Sequence, residues 1–188
     1  MRRITVFNSI SLDGYFTDQK GDMSWAHKND PEWNDFVAGN AQGGSEGLFL
    51  FGRVTYQMMA NWWPSEQAKQ MMPEVANTMN SRQKVVFSRT LEEATWSNTR
   101  LVKDNLIEEV QKLKKDAAED IVIFGSGTIV SQLTQEGLID EYQMVINPIV
   151  LGSGRTMFDG VKEKVLLRRT TERTFDNGNV FACYERVV

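Results

Sequence analysis

The sequence predicts one three-layer α/β domain over residues 1–188, in which a mostly parallel sheet carries helices on both faces and ends in an antiparallel hairpin. Short apolar and β-branched runs alternate with helix-like segments over the first 140 residues, as in parallel strands joined by helices. The run 47–51 (GLFLF) is wholly apolar, which favours a strand covered on both faces. Asp176-Asn177-Gly178 separates two late strand-like segments and is typical of a hairpin turn.

Each predicted element has a local signal. Strands are predicted over 4–10, 47–51, 84–87, 121–124, 142–150, 165–174 and 179–187. The first helix begins after Asp30, a cap residue followed by Pro31, and extends to about residue 40. Further helices are predicted over 53–63, 65–82, 105–118 and 126–136. Pro64 ends the first of these, Pro73 interrupts the second, and Gly137 follows the last.

The composition is that of a folded protein with no general affinity for nucleic acid or membrane. Of the 188 residues, 41% are hydrophobic and 24% are charged, and the formal net charge is −4. Cys183 and His27 are single residues of their kinds, which excludes an internal disulfide and a zinc site of the usual Cys/His type. No apolar run suits a membrane span or a signal peptide, so we expect a cytoplasmic protein without a metal site.

Glycine, arginine and hydroxyl residues follow four of the predicted strands. The segments are 11–14 (SLDG), 52–55 (GRVT), 88–90 (SRT) and 125–128 (GSGT). In an open α/β sheet, ligands bind where the carboxyl ends of the strands meet the following loops. Helix starts with glycine nearby, together with arginine side chains, suit phosphate groups. The sequence therefore predicts a site for a phosphorylated ligand, although each arginine alone also fits a solvated surface residue and each glycine a close-packed turn.

The turn after the strand 121–124 is not the usual dinucleotide-binding fingerprint. The pattern G-x-G-x-x-G requires a glycine at position 130, where the chain has Val130. It also requires an acidic residue about 20 positions further on. The segment 144–148 contains no acidic residue, so the prediction is phosphate binding without a Rossmann-type motif.

Five segments together resemble the dihydrofolate reductase-like superfamily, in the branch that contains the C-terminal reductase domain of bifunctional riboflavin biosynthesis enzymes. They are 11–16 (SLDGYF), 51–59 (FGRVTYQMM), 85–90 (VVFSRT), 121–133 (IVIFGSGTIVSQL) and 138–158 (LIDEYQMVINPIVLGSGRTMF). They occur in the family's order, and the likeness runs from residue 4 to the C-terminus. It implies a mixed eight-stranded sheet, a homodimer, and an NADPH-dependent reductase similar to 5-amino-6-(5-phosphoribosylamino)uracil reductase.

The resemblance also implies which residues bind the cofactor. Those for its phosphates and the nicotinamide ribose are Gly52, Arg53, Thr55, Gly125, Ser126, Gly127 and Thr128. The small turn 125–128 would then make room for the cofactor backbone. Ser88 and Arg89 would lie at the adenosine 2′-phosphate and favour NADPH over NADH. Leu12 and Asp13 would lie near the nicotinamide.

Reduction of a C=N or C=O bond also requires a proton, supplied by a carboxyl group or an ordered water. The candidate catalytic carboxyls are Asp13 and Asp30, although Asp13 also fits a plain turn and Asp30 a helix cap. Phe16, Trp25 and Tyr56 are candidates for stacking against a small heterocyclic substrate, with a place in the core as the alternative. Two other functions stay open: a catalytically degenerate dimeric nucleotide-binding module of the same fold, and a dihydrofolate reductase.

Overall fold

Strands and helices alternate along the chain in the computed structural model, which describes residues 2–27, 30–43, 47–116 and 120–187. The strands are β1 (Ile4–Ser11), β2 (Tyr15–Thr17), β3 (Leu48–Gly52), β4 (Lys84–Phe87), β5 (Thr99–Val102), β6 (Ile121–Phe124), β7 (Glu141–Asn147), β8 (Arg155–Thr156), β9 (Leu167–Thr174) and β10 (Val180–Arg186). The helices are α1 (Pro31–Gly43), α2 (Arg53–Trp62), α3 (Glu66–Met71), α4 (Pro73–Ser81), α5 (Leu106–Asp116) and α6 (Gly127–Gln135).

Eight of these strands form one mixed sheet in the order β5-β4-β3-β6-β1-β7-β10-β9. The six strands from β5 to β7 are parallel, whereas β10 runs antiparallel to β7 and to β9. The predicted fold class is therefore confirmed, including the C-terminal hairpin. The short strands β2 and β8 pair separately with each other.

The sheet is covered on both faces because alternate residues of its central strands point to opposite sides. In β3, Leu50 packs in a buried cluster that includes Val110 of α5. Its neighbours Phe49 and Phe51 pack in a second cluster, with Tyr56 of α2. A strand buried on both faces accounts for the wholly apolar sequence of this segment.

The structure corrects several element bounds. Strand β5 was not predicted, because two of its four residues, Thr99 and Arg100, are polar. Strands β2 and β8 were also not predicted. Strand β7 ends at Asn147, before Pro148, although the predicted strand continued to residue 150. The predicted end of the fourth helix, at about residue 118, lies outside the described residues.

A membrane-spanning helix was not expected from the sequence. Within the described parts of the chain, no helix is long and apolar enough to cross a bilayer.

Candidate functional site

A cleft of about 1160 Å³ opens at the carboxyl ends of the parallel strands. Its lining includes nine residues that the sequence predicted to bind cofactor, namely Gly52, Arg53, Thr55, Ser88, Arg89, Gly125, Ser126, Gly127 and Thr128. The tenth, Leu12, is 67% exposed and is not part of the lining. Pockets for a single small ligand usually measure roughly 300–1,000 Å³. This cleft is therefore somewhat larger than a pocket for one small ligand.

Two helices begin side by side at the floor of the cleft. Strands β3 and β6 are neighbours, so the starts of α2 and α6 lie next to each other. The Gly52 N–H donates to Ser126 Oγ at 2.8 Å, and the Ser126 N–H donates to Thr55 Oγ1 at 3.2 Å. These reciprocal hydrogen bonds join the two helix N-termini into one unit.

The joined helix starts present backbone donors that the protein does not use. Among the described residues, none accepts a hydrogen bond from the backbone N–H groups of Arg53, Val54, Gly127 or Thr128. The first N–H groups of a helix have no partner within the helix itself, and the helix dipole makes this end partly positive. Two such ends meeting in one cleft are suited to bind an anion.

Three residues fix the turn before α6. Gly125 has a φ of +56° and Ser126 a φ of +61°, so both adopt the left-handed conformation. The side chain of Asn8 makes two hydrogen bonds with Gly125. Its amide nitrogen donates to the Gly125 carbonyl oxygen, and its amide oxygen accepts from the Gly125 N–H. Asn8 is 4% exposed, and both its amide nitrogen and its amide oxygen have a partner in Gly125. This role of Asn8 was not predicted, although a polar residue within an apolar strand is a visible signal.

The small residues of the turn make room for the protein's own side chains. A Cβ added at Gly125 would lie 2.6 Å from Thr55 Oγ1. A Cβ at Gly127 would lie 2.9 Å from the ring of Phe16 and 3.3 Å from the carbonyl oxygen of Thr156. The explanation that the turn is small to accommodate a cofactor is thus incomplete, because β2 and β8 already approach it closely.

The opposite end of the cleft carries residues that follow β4 and β5. Ser88 Oγ accepts hydrogen bonds from the backbone N–H groups of Thr90 and Leu91, which places its hydroxyl in a tight turn. The guanidinium of Arg89 is 83% exposed, and its Nε lies 3.3 Å from Asp104 Oδ1. Asp104 and its neighbour Lys103 also line the cleft. Neither residue was predicted to line the site, because β5 was not predicted.

The two predicted catalytic carboxyls lie outside the cleft lining. The Asp13 carboxylate accepts hydrogen bonds from the Ser11 hydroxyl at 2.6 Å and from the backbone N–H groups of Leu151 and Gly152. These bonds, the one from Ser11 most of all, hold the pKa of Asp13 below its ordinary value. Asp30 caps α1, since its Oδ1 accepts from the Trp33 N–H at 2.9 Å. The geometry therefore favours the structural alternatives, turn and cap.

The three aromatic candidates for substrate stacking are placed differently. Phe16 lines the cleft. Trp25 is partly exposed outside the lining, and its indole N–H donates to the Asp22 carbonyl oxygen. Tyr56 is 2% exposed, and its hydroxyl accepts from the Trp96 N–H. Of the three, Phe16 alone is therefore available to a ligand in the cleft, and Tyr56 is a core residue.

Metal ligands were not expected from the sequence. Among the described residues there is no group of three or more His, Cys, Asp or Glu side chains placed to hold a metal ion.

Comparison with known proteins identifies the family. The sequence model of the RibD C-terminal domain matches residues 2–181. The chain belongs to this family. The resemblance drawn from the five segments is thereby confirmed.

Several known proteins are similar to this RibD C-terminal domain over nearly its whole length. The uncharacterized protein YyaP of Bacillus subtilis (strain 168) is 30% identical over 184 residues, which make up 97% of this chain and 94% of YyaP. A candidate riboflavin biosynthesis protein from Shewanella sp. PV-4 is similar in structure with a TM-score of 0.76 and 24% identity, covering 99% of both chains. Dihydrofolate reductase from Enterococcus faecalis, complexed with NADP(H), has a TM-score of 0.66 and 15% identity, covering 98% of this chain and 96% of that one. These two structures show that the RibD C-terminal domain and dihydrofolate reductase share the fold.

Proposed function

We propose that this protein is an NADPH-dependent reductase that transfers hydride to a small heterocyclic substrate, similar to 5-amino-6-(5-phosphoribosylamino)uracil reductase. The observation that carries the proposal is the pair of joined helix N-termini at the floor of the cleft. A dinucleotide contains two linked phosphates, and two adjacent helix starts supply backbone N–H donors and partial positive charge for both. Arg53, which begins α2 and lines the cleft, adds a full positive charge beside them.

The far end of the cleft supports NADPH as the cofactor. Arg89 offers a planar guanidinium that can bind two phosphate oxygens at once. Ser88 already accepts two backbone hydrogen bonds, so its hydroxyl hydrogen is available for a phosphate oxygen. Both residues follow β4, one strand away from the helix starts. The complex of the Enterococcus faecalis dihydrofolate reductase with NADP(H) shows that a protein of this fold takes this cofactor.

NADPH would supply the hydride, and the protein must orient the substrate and provide a route for a proton. Phe16 lies where a flat ring can stack beside the turn before α6. The Asp13 carboxyl, with its lowered pKa, stays ionised at neutral pH and is a poor proton donor. We therefore infer that the proton reaches the substrate from water.

One observation favours the degenerate binding module as a second candidate. Both carboxyls predicted to be catalytic are engaged in structural hydrogen bonds and are absent from the cleft lining. The carboxylates that do line it are Asp104 and Asp159. A protein that binds the cofactor without reducing a substrate would have this arrangement too.

Binding and turnover experiments separate the two candidates. Titration of the purified protein with NADPH and NADH, followed by the fluorescence of its five tryptophans, should give NADPH binding in the micromolar range with NADH about tenfold weaker. NADPH oxidation should then follow addition of 5-amino-6-(5-phosphoribosylamino)uracil or a related heterocycle. Binding without oxidation would favour the degenerate module, and absence of binding for either nucleotide would overturn the proposal.

A further inference from the structure

The Asp104 carboxylate lines the far end of the cleft together with the cationic side chains of Arg89 and Lys103. Strands β4 and β5 are parallel with Phe87 opposite Val102, and the Ser88 N–H donates to the Val102 carbonyl oxygen at 3.0 Å. This pairing brings the two following turns together. As a result, the Asp104 carboxylate lies 3.3 Å from the Nε of Arg89, the residue placed to bind a 2′-phosphate.

The carboxylate and a phosphate compete for the same guanidinium. A phosphate arriving at Arg89 would meet one negative charge already paired there, and like charges in close contact repel. A ribose hydroxyl would instead find an acceptor, because a carboxylate at the end of a strand can accept a hydrogen bond from the 2′-hydroxyl of NADH. Arg89 therefore favours the phosphorylated cofactor, whereas Asp104 favours the one with a free hydroxyl.

We infer that Asp104 is a specificity-determining residue of this cleft, which weakens the preference for a 2′-phosphorylated cofactor by competing for Arg89. This inference rests on the proposed function, since it concerns the adenosine end of the same cofactor. The two side chains are 83% and 69% exposed, so the effect is that of a surface charge pair and is screened by salt.

The test is the substitution Asp104→Asn, which keeps the shape and removes the charge. Titrations with NADPH and NADH should show the ratio of their affinities rising about two- to fivefold in favour of NADPH at low ionic strength. The gain should shrink in high salt, because the Debye length falls to about 3 Å at 1 M. The matched control is Asp116→Asn at the last position of α5, which makes the same change of charge outside the cleft lining and should leave the ratio unchanged.

The outcomes distinguish this inference from the proposed function. An unchanged or lower ratio in Asp104→Asn, with normal NADPH binding by the wild type, would overturn the inference alone. A lower ratio would mean that Asp104 holds Arg89 in position for the phosphate. Failure of the wild type to bind either nucleotide would overturn the proposed function and this inference with it.

Discussion

The two ends of β4, a strand of four residues, are built in opposite ways. At its amino end, Lys84 is 1% exposed, and its ammonium donates to the carbonyl oxygens of Asn80, Arg82 and Ser97 at 3.2, 2.6 and 3.1 Å. Just beyond its carboxyl end, Arg89 is 83% exposed, and its Nε lies 3.3 Å from the carboxylate of Asp104, which is 69% exposed. One end is closed and saturated with hydrogen bonds, and the other is open.

From this difference we expect the amino end of β4 to contribute to stability and the carboxyl end to contribute to binding. All three ammonium hydrogens of Lys84 have carbonyl partners, two of which end α4, where the helix dipole favours a cation. The same ammonium lies 4.6 Å from the centre of the Trp96 ring. Changes at this end should therefore alter the free energy of unfolding. Changes at the carboxyl end should alter cofactor affinity and leave stability as it is.

The largest expected effect is on stability, from Lys84→Met. The apolar side chain fills a similar volume but removes the three hydrogen bonds from the ammonium to the carbonyl oxygens of Asn80, Arg82 and Ser97, so we expect a loss of about 2–4 kcal/mol in the free energy of unfolding. Urea denaturation measures it. The control is Lys112→Met on the exposed side of α5, which should change stability by less than about 0.5 kcal/mol. Equal losses of stability in the two variants would contradict a special role of Lys84 at the amino end of β4.

The next largest effect is on binding, from Gly127→Val. The new side chain meets the Phe16 ring and the Thr156 carbonyl and covers the free N–H groups at the start of α6. We expect a loss of about 2 kcal/mol in NADPH binding, or roughly thirtyfold in affinity, with the protein still folded. Gly39→Val is the control, since a Cβ there has no neighbour within 4 Å. Normal NADPH binding by Gly127→Val would mean that the turn is structural only.

The variant Arg89→Ala tests whether the carboxyl end of β4 contributes to binding and not to stability. Because the guanidinium is placed for a 2′-phosphate, NADPH affinity should fall about tenfold while NADH affinity changes little. NADH is therefore the internal control of the titration. The free energy of unfolding should stay within about 0.5 kcal/mol of the wild type. Equal weakening of both nucleotides would remove the 2′-phosphate assignment.

The smallest effect is a pH dependence of stability at the amino end. Burial lowers the pKa of Lys84 from 10.5 to about 8, although its three carbonyl bonds favour the charged form. Between these two values the unfolded chain binds a proton that the folded chain has released. Raising the pH therefore stabilises the folded protein, by about 1 kcal/mol between pH 8 and pH 9. The Lys84→Met variant should lack this increase, and an equal increase in that variant would assign it to another group.

The residues of the cleft could be predicted because their signals are local. A glycine or arginine directly after an apolar strand is visible in a few letters of sequence, and the topology then brings such ends together at one edge of the sheet. Gly52, Arg89 and Gly127 were found in this way. Asp104 was not, because β5 becomes a strand only through its pairing with β4.

The burial of Lys84 and Tyr56 could not be predicted for a related reason, since it depends on contacts between distant segments. Lys84 looks like a solvated first residue of a strand, and its burial depends on where the end of α4 and the segment around Trp96 pack. Tyr56 was considered for substrate stacking because aromatic side chains serve both cores and binding sites. Its hydrogen bond to the Trp96 N–H joins residues 40 positions apart, and no local pattern reports such a contact.

The contact between the two helix starts has a consequence for how this sequence can change over generations. A Cβ at Gly125 would collide with the Thr55 hydroxyl at 2.6 Å, while that hydroxyl accepts the Ser126 N–H. Positions 55 and 125 are thus epistatic: a larger residue at 125 requires a smaller residue at 55, and it must also tolerate the left-handed conformation of position 125, as asparagine does. In an alignment of relatives, the two columns should covary although they lie 70 residues apart.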